Sequence, residues 1–367
     1  MNELENARKE INEVDAEMAK LFEKRMKAVG KIAEYKAKHG LSVLDEDREK
    51  AVIKNNSEYI SDDVVREYYV EFLQSEMAVS RKYQSRLSEG IKVAYCGIKG
   101  AYAHIAAKKM FPECIPVSFA DFAAAYKAVE DGDCDVAVLP TENSYAGDVG
   151  TVMDLIFSGS LFVNQVIDLS IKHDLLSVKG ATKDGVKKVI SHAQALSQCA
   201  AYISEKGYLT EETSNTAVAA EYVKEKNDSS LAAIASKDAA EIYGLEVLES
   251  GVNTSAGNTT RFAAFSRAMH TPSAGRGKMN ENFILTFTVK NEAGALAKTL
   301  DIIGAHGFNM RNLRSRPMKA LLWSYYFYIE AEGNINTENG RDMLKELGAT
   351  CDKLKLVGTY VSNDAKQ

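Results

Sequence analysis

The chain of 367 residues is poor in proline, with five in all and none before Pro112. No apolar run approaches the ~18–20 residues that cross a bilayer, and mean hydropathy is −0.24, so no membrane partner is expected. The first residues, MNELENARKE, are charged and lack an apolar signal core, which points to a cytoplasmic rather than a secreted protein. Positive charge is not in surplus. The formal net charge is −6, which argues against nucleic acid as a partner. The cysteines (Cys96, Cys114, Cys134, Cys199, Cys351) are odd in number, far apart and without a CxxC pair. They read as free thiols in a reducing compartment, not as a disulfide frame. No His/Cys/acid cluster has metal-ligand spacing, so no metal is expected.

What is present divides the chain. At roughly 100–200 residues per domain, the length predicts two or three domains. The first 90 residues hold only Gly30, Gly40 and Gly90 and are rich in Glu, Lys, Ala, Met and Arg, a composition that favours helix. After Gly90, short apolar runs (IKVAYC, DVAVLP, KKVIS) alternate with helical patterns, as α/β architecture requires. The segment AMHTPSAGRGKMN, at 268–280, has the proline and glycines of a linker. The expectation is a multidomain protein, with domains at 1–88, 91–267 and 281–362.

In the first of these, Leu4, Ile11, Met18, Arg25 and Ile32 recur every seven residues, and Ala7, Val14, Leu21, Ala28 and Tyr35 fill the second seam position. This predicts one long helix with a packed seam. A third helix is expected from a Ser61 cap to about Leu87, with Val65, Tyr69, Phe72, Val79 and Tyr83 as its apolar stripe. Arg25 takes a seam position, either snorkelling to a carboxylate or facing a ligand. Arg25, Lys36, Arg48, Glu49 and Gln84 would surround the interior, and a surplus of buried cations calls for an anion. Arg8 and Arg25 lie about 25 Å apart at a rise of ~1.5 Å per residue. Both can hold one small dianion only if Arg8 comes from a second chain; otherwise Arg8 is a surface charge.

The order Arg8, Arg25, Lys36, Asp45, Arg48, Glu49, Ser80, Gln84, in the strings LENARKEINEVD, DEDREK and SRKYQ, resembles the all-helical class of chorismate mutase. The resemblance implies the rearrangement of chorismate to prephenate. Arg8 of a partner, Arg25 and Arg48 would hold the two carboxylates, while Lys36 and Gln84 would bond the ether oxygen. Asp45 and Glu49 would hold the ring hydroxyl, with Ser80 in support. Such a reaction needs a compact substrate conformation and stabilised charge on the ether oxygen, without a nucleophile.

The middle segment reads as two α/β lobes with a cleft between them, joined by returning strands. A glycine turn (GIKGAYAH) opens a helix and offers backbone N–H groups to an anion. The polar loop TENSYAG follows a buried strand, where α/β ligands usually sit. KVAYCGIKGAYAH, LPTENSYAG, SHAQALSQC and NTTRF together resemble prephenate dehydratase, which implies a two-lobed fold like that of periplasmic binding proteins and conversion of prephenate to phenylpyruvate. On that resemblance Thr260 assists the departing hydroxyl as an acid, and Arg261 sits near the substrate carboxylates. Glu142, Asn143, Ser144, Asn215, Thr216 and Phe262 complete the site. One departure is His192-Ala193-Gln194 where the family often has His-Pro-Gln. His192, His104 and His173 are read as packing residues.

The last segment shows the order βαββαβ, a ferredoxin-like sandwich. It resembles the ACT domain behind prephenate dehydratases, which implies phenylalanine held between subunits by Gly294, Ala295, Leu296, Ser315, Arg316 and Pro317. Arg314 stands where that motif has Glu. Taken together, the resemblances imply a bifunctional chorismate mutase–prephenate dehydratase, a homodimer or homotetramer inhibited by phenylalanine, with no metal or organic cofactor called for by either reaction. Two other readings remain: an amino-acid sensor with decayed catalytic units, or a dehydratase whose helical part only dimerises.

Overall fold

The computed structural model describes residues 2–254, 257–270, 281–318 and 324–362. The expected linker at 268–280 lies outside the described residues from 271 onward. The chain divides into two compact units, Met1–Ile91 and Lys92–Gln367.

The first unit is three helices: α1 (Glu3–His39), α2 (Glu46–Ser57) and α3 (Asp63–Glu89). A capping box starts α1, where Asn2 accepts from the Glu5 N–H and the Glu5 carboxylate accepts from the Asn2 N–H. A left-handed Gly40 ends it. The cap of α3 is Asp62, not Ser61; its carboxylate accepts from the Val65 N–H and suits the positive helix end. The expected stripe on α3 is also corrected. Its buried residues are Leu73, Met77, Ser80 and Gln84, whereas Val65, Phe72 and Val79 are exposed. On α1 only Val29 and Ala33 are buried, while Leu4, Ile11, Val14, Met18 and Leu21 lie open. The heptad is real, but most of its seam has no helix of its own chain to pack against.

The second unit begins as two α/β lobes. In the first lobe, β1 (Lys92–Cys96), β2 (Ile115–Phe119), β3 (Val136–Asn143), β5 (Phe162–Ser170) and β11 (Thr259–Ser266) pair in the order β5-β11-β3-β1-β2. The short β4 (Gly147–Asp148) hangs on β3. In the second lobe, β6 (Asp174–Ser177), β7 (Lys188–His192), β8 (Leu209–Thr213), β9 (Leu231–Ala235) and β10 (Glu246–Glu249) pair as β10-β6-β9-β7-β8. The chain leaves the first lobe after β5 and returns to it in β11, so two crossings join the lobes and a cleft opens between them.

The final segment runs β12 (Glu281–Thr288), α11 (Ala295–Ala305), β13 (Asn309–Pro317), β14 (Tyr325–Glu332), α12 (Glu338–Thr350) and β15 (Lys353–Val361). Its four strands form an antiparallel sheet in the order β13-β14-β12-β15. Phe283, Leu285, Phe287, Ile303, Ile329, Met343 and Leu347 form its core. This segment does not stand apart. β15 lies parallel beside β5, with Gly358 opposite Val163, so one sheet runs through both parts. Ion pairs and a shared apolar cluster that includes Ile284, Tyr328, Val357 and Tyr360 reinforce the joint.

Gly358 makes this joint possible, because a Cβ there would fall on the Val163 carbonyl. A backbone atom in a sheet cannot step aside. Gly358→Ala is therefore expected to cost about 1–3 kcal/mol of stability, read as a lower melting temperature of the intact protein. An unchanged melting curve would contradict this account of the joint.

Candidate functional site

In the helical unit, Arg25 on α1 meets α3. Its Nε lies 2.9 Å from Glu76 Oε1, and its guanidinium donates to the Ser80 hydroxyl. Ser80 in turn donates to the Glu76 carbonyl at 2.8 Å. Gln84, one turn on, is 8% exposed, and its Oε1 is buried without a hydrogen-bond partner among the described residues. Such an orphan costs about 1–3 kcal/mol, which marks the place for a ligand or a second chain. Lys36 donates to the Val43 carbonyl at 2.6 Å. Asp45 caps α2 through the Arg48 N–H, and Glu49 pairs with Arg81.

The expected surplus of buried cations is not present in a single chain. Arg8 and Arg48 are exposed, while Arg25 is matched by Glu76. Three helices of one copy cannot enclose a site when the first half of α1 is bare. Glu76 and Arg81 are charged partners that the sequence reading missed. The available signal was their spacing, since Glu76 lies one turn before Ser80 and Arg81 directly follows it.

In the second unit, a cleft of about 470 Å³ opens between the lobes. Thr260, Phe262, Asn143, Asn215, Thr216 and Asn258 line it, with His173, His192, Gln194 and Gln198. Helix α4 (Tyr102–Met110) starts at the cleft with no side-chain cap, so its first N–H groups face the opening, a favourable place for an anion. At the facing helix, α9 (Thr216–Lys226), Asn215 is itself the cap and accepts from the N–H groups of Ala217 and Val218 at 3.0 Å. His192 has the corresponding task at α7 (Ala193–Gln198), where Nδ1 accepts from the Gln194 N–H.

Strand alternation sorts the Thr-Arg-Phe triplet. Side chains of one strand point alternately to opposite faces, so Thr260 and Phe262 reach the cleft and Arg261 does not. This corrects the expectation for Arg261. Its guanidinium grips Asp168 on β5 with two bonds, at 2.9 and 3.2 Å, and reaches Glu330 on β14 at 3.3 Å. The Asp168 hydrogen bonds raise the Arg261 pKa further, so the guanidinium stays charged. Glu330 is 3% exposed, and the Tyr360 and Tyr328 hydroxyls also donate to it.

The same alternation corrects Glu142, which stands opposite Arg261 in register. Its carboxylate is 2.5 Å from Arg314 Nη2, and Arg314 also pairs with Asp148. Ser144 is a staple of the loop rather than a cleft residue, accepting from the Thr259 N–H and donating to the Gly257 carbonyl. Of the expected Glu142, Asn143 and Ser144, only Asn143 faces the cleft. Its Nδ2 donates to Thr260 Oγ1 at 2.9 Å.

Cys96 borders the cleft, and burial pushes its thiol up, which disfavours the thiolate. Among the described residues, no group of three or more His, Cys, Asp or Glu could hold a metal, and no helix is long and apolar enough to cross a membrane. In the C-terminal segment a cavity of about 440 Å³ is lined by Leu296, Asn291, Met318 and Tyr325. Gly294 caps α11 in the left-handed region, and Arg316 lies 3.5 Å from Asp154. Of the residues expected to hold an effector, only Leu296 lines this cavity.

Comparison with known proteins identifies both parts of the chain. Residues 7–85 match the family Chorismate mutase type II, and residues 93–270 match Prephenate dehydratase. The bifunctional chorismate mutase/prephenate dehydratase of Neisseria gonorrhoeae is 32% identical over 96% of this chain and 95% of its own length. Among solved structures, GqqA, described as a novel type of quorum-quenching acylase, is 31% identical. The match covers 75% of this chain and all of that one, with a TM-score of 0.69. The prephenate dehydratase of Arthrobacter aurescens, solved with L-Phe, shares the fold at 23% identity and a TM-score of 0.68. That match covers 75% of this chain and 91% of that one. With two family models matched in order along the chain and a relative aligned nearly end to end, the chain belongs to the family of bifunctional chorismate mutase/prephenate dehydratases.

Proposed function

We propose that the enzyme's two reactions, chorismate to prephenate and prephenate to phenylpyruvate, run at the two separate sites described above. Three functional domains, at 1–88, 91–267 and 281–362, would carry mutase, dehydratase and regulation, in a cytoplasmic enzyme.

The mutase site is completed by a second copy. The bare seam of α1 and the exposed Val65, Phe72 and Val79 of α3 give that copy its contact surface. Its Arg8 would join Arg25 and Arg48 on the substrate carboxylates. Lys36 and Gln84 would meet the ether oxygen, while Asp45 and Glu49 meet the ring hydroxyl, Glu49 exchanging Arg81 for substrate. Sedimentation is expected to give a dimer or larger assembly at micromolar concentration, and a stable monomer with full mutase activity would overturn the shared site.

For the dehydratase, one observation carries the assignment. Asn143 Oδ1 accepts from the backbone N–H groups of Tyr145 and Ala146, both at 3.0 Å. Its Nδ2 must therefore face Thr260, whose oxygen accepts and whose own proton is left for a group in the cleft. Thr260 would give that proton to the departing hydroxyl as the ring loses carbon dioxide, and solvent would restore it. A neutral acid of this kind works by position rather than by a tuned pKa. The open N-terminus of α4 and the Asn215–Thr216 cap would hold the carboxylates. Thr260→Ala is expected to abolish dehydration and leave mutase turnover intact, and Arg25→Ala to do the reverse. Loss of both activities from either change would argue against separate sites.

The C-terminal segment would serve as an ACT module that takes phenylalanine. Its strand order supports this, as does the fold shared with a structure solved with L-Phe. Gly294, Ala295 and Leu296 at the start of α11, with Ser315, Arg316 and Pro317 on β13, would form the site between two copies. Arg314, already committed to Glu142 and Asp148, gives the effector strand a direct grip on the catalytic loop. Added phenylalanine is expected to lower dehydratase kcat in the intact protein, and an unchanged rate at saturating phenylalanine would sink the regulatory reading.

A further inference from the structure

Thr260 stands at one end of a hydrogen-bonded line that runs through the buried hinge of the two lobes. Asn143 Nδ2 donates to Thr260 Oγ1 and to Asn258 Oδ1, both at 2.9 Å. Asn258 Nδ2 donates to Gln198 Oε1 at 2.8 Å. The same oxygen lies 2.9 Å from His173 Nε2, and His173 Nδ1 lies 3.2 Å from the Tyr102 hydroxyl. Asn258 and His173 are each 2% exposed. His173 sits on the first crossing between the lobes, and Asn258 at the end of the second.

The polarity of the line follows from one fixed point. Asn143 is oriented by two backbone N–H groups, which cannot be anything but donors. Asn258 must then present its oxygen to Asn143 and its amide N–H to Gln198. Gln198 presents an oxygen to two neighbours, so His173 carries its proton on Nε2. Burial holds His173 below the usual histidine range, against the opposing pull of Gln198, in keeping with a neutral ring. With any amide reversed, two donors or two acceptors would face each other in a buried place, which is costly.

We propose that Asn258 and His173, acting through Gln198, are positioning residues for dehydration: they anchor the Asn143 amide nitrogen, whose direction the loop N–H groups set, and so keep it on Thr260, which then donates into the cleft. This rests on the reading of Thr260 as the acid. It extends the site to both interlobe crossings, so that the donor is correctly aimed only when the lobes sit as they do here.

The test is steady-state kinetics of dehydration on the full chain, with mutase turnover and thermal melting followed in parallel. Asn258→Leu removes the acceptor that anchors Asn143 and is expected to lower kcat about tenfold, with little change in KM. His173→Phe is expected to lower kcat in the parent chain but to add no further loss beside Asn258→Leu, because both act through one path. If Asn258→Leu does not fold, Asn258→Ala replaces it. An unchanged kcat, or a His173 effect that multiplies with that of Asn258, would overturn the proposal. If Thr260→Ala still dehydrates prephenate, the acid reading fails and the line has no end to position. If Thr260→Ala is inactive while Asn258→Leu matches the parent, only the positioning role fails.

Discussion

The two-residue period of a single strand, β11, governs the second unit. It lies between β5 and β3, bonded on both sides, so its faces cannot be exchanged by a slip of register. One face delivers Thr260 and Phe262 to the cleft. The other sends Arg261 to Asp168 and Glu330. Chemistry and assembly are thus read from adjacent residues of one motif, and neither can shift without the other. A pair of charges as enclosed as Arg261 and Glu330 adds little net stability by itself, but losing either partner leaves the other stranded at high cost.

The helical unit obeys a different constraint. Its polar centre lies where Arg25 of α1 meets Glu76 and Ser80 of α3, with buried Gln84 one turn on. Toward the start of α1 the apolar seam continues, and among the described residues its Leu4, Ile11, Val14, Met18 and Leu21 stay exposed. An amphipathic helix whose apolar stripe is left in water gains nothing from that stripe.

Much of this was legible in the sequence, and the failures share a cause. The heptad of α1, the helical first 90 residues, the alternation of strands and helices, and the βαββαβ order after 281 all appear as periodicities along the chain. Motif order was enough to point to the two chemistries. What a one-dimensional reading could not give was direction. The triplet Thr260-Arg261-Phe262 and the run Glu142-Asn143-Ser144 look like units, yet each is split by the pleat between two faces. His173 lies in none of the matched strings, and Asn258, although it opens NTTRF, carries nothing in sequence that points to Asn143 or Gln198. Their importance comes from crossings that bring residues 143, 173, 198 and 258 together from four separate stretches. The apolar stripe expected on α3 was misplaced because Ser80 and Gln84, polar in sequence, are among the most enclosed residues of that helix. The close attachment of the last segment could not be seen either, since it depends on a backbone approach at Gly358 and on Arg314, which in sequence looked only like a departure from a motif.

That attachment bears on what can be cut from the protein. β5 is nine residues long and has β11 on one side; on the other, among the described residues, its strand neighbour is β15. A chain ended before residue 281 would leave that side as an open ladder of N–H and C=O groups, the kind of edge along which sheets of different molecules join. It would also leave Arg261 without the Glu330 carboxylate. The C-terminal segment is therefore more than a neighbour of the catalytic lobes: it covers a strand edge and matches a charge that a chain trimmed to the two lobes would lay bare.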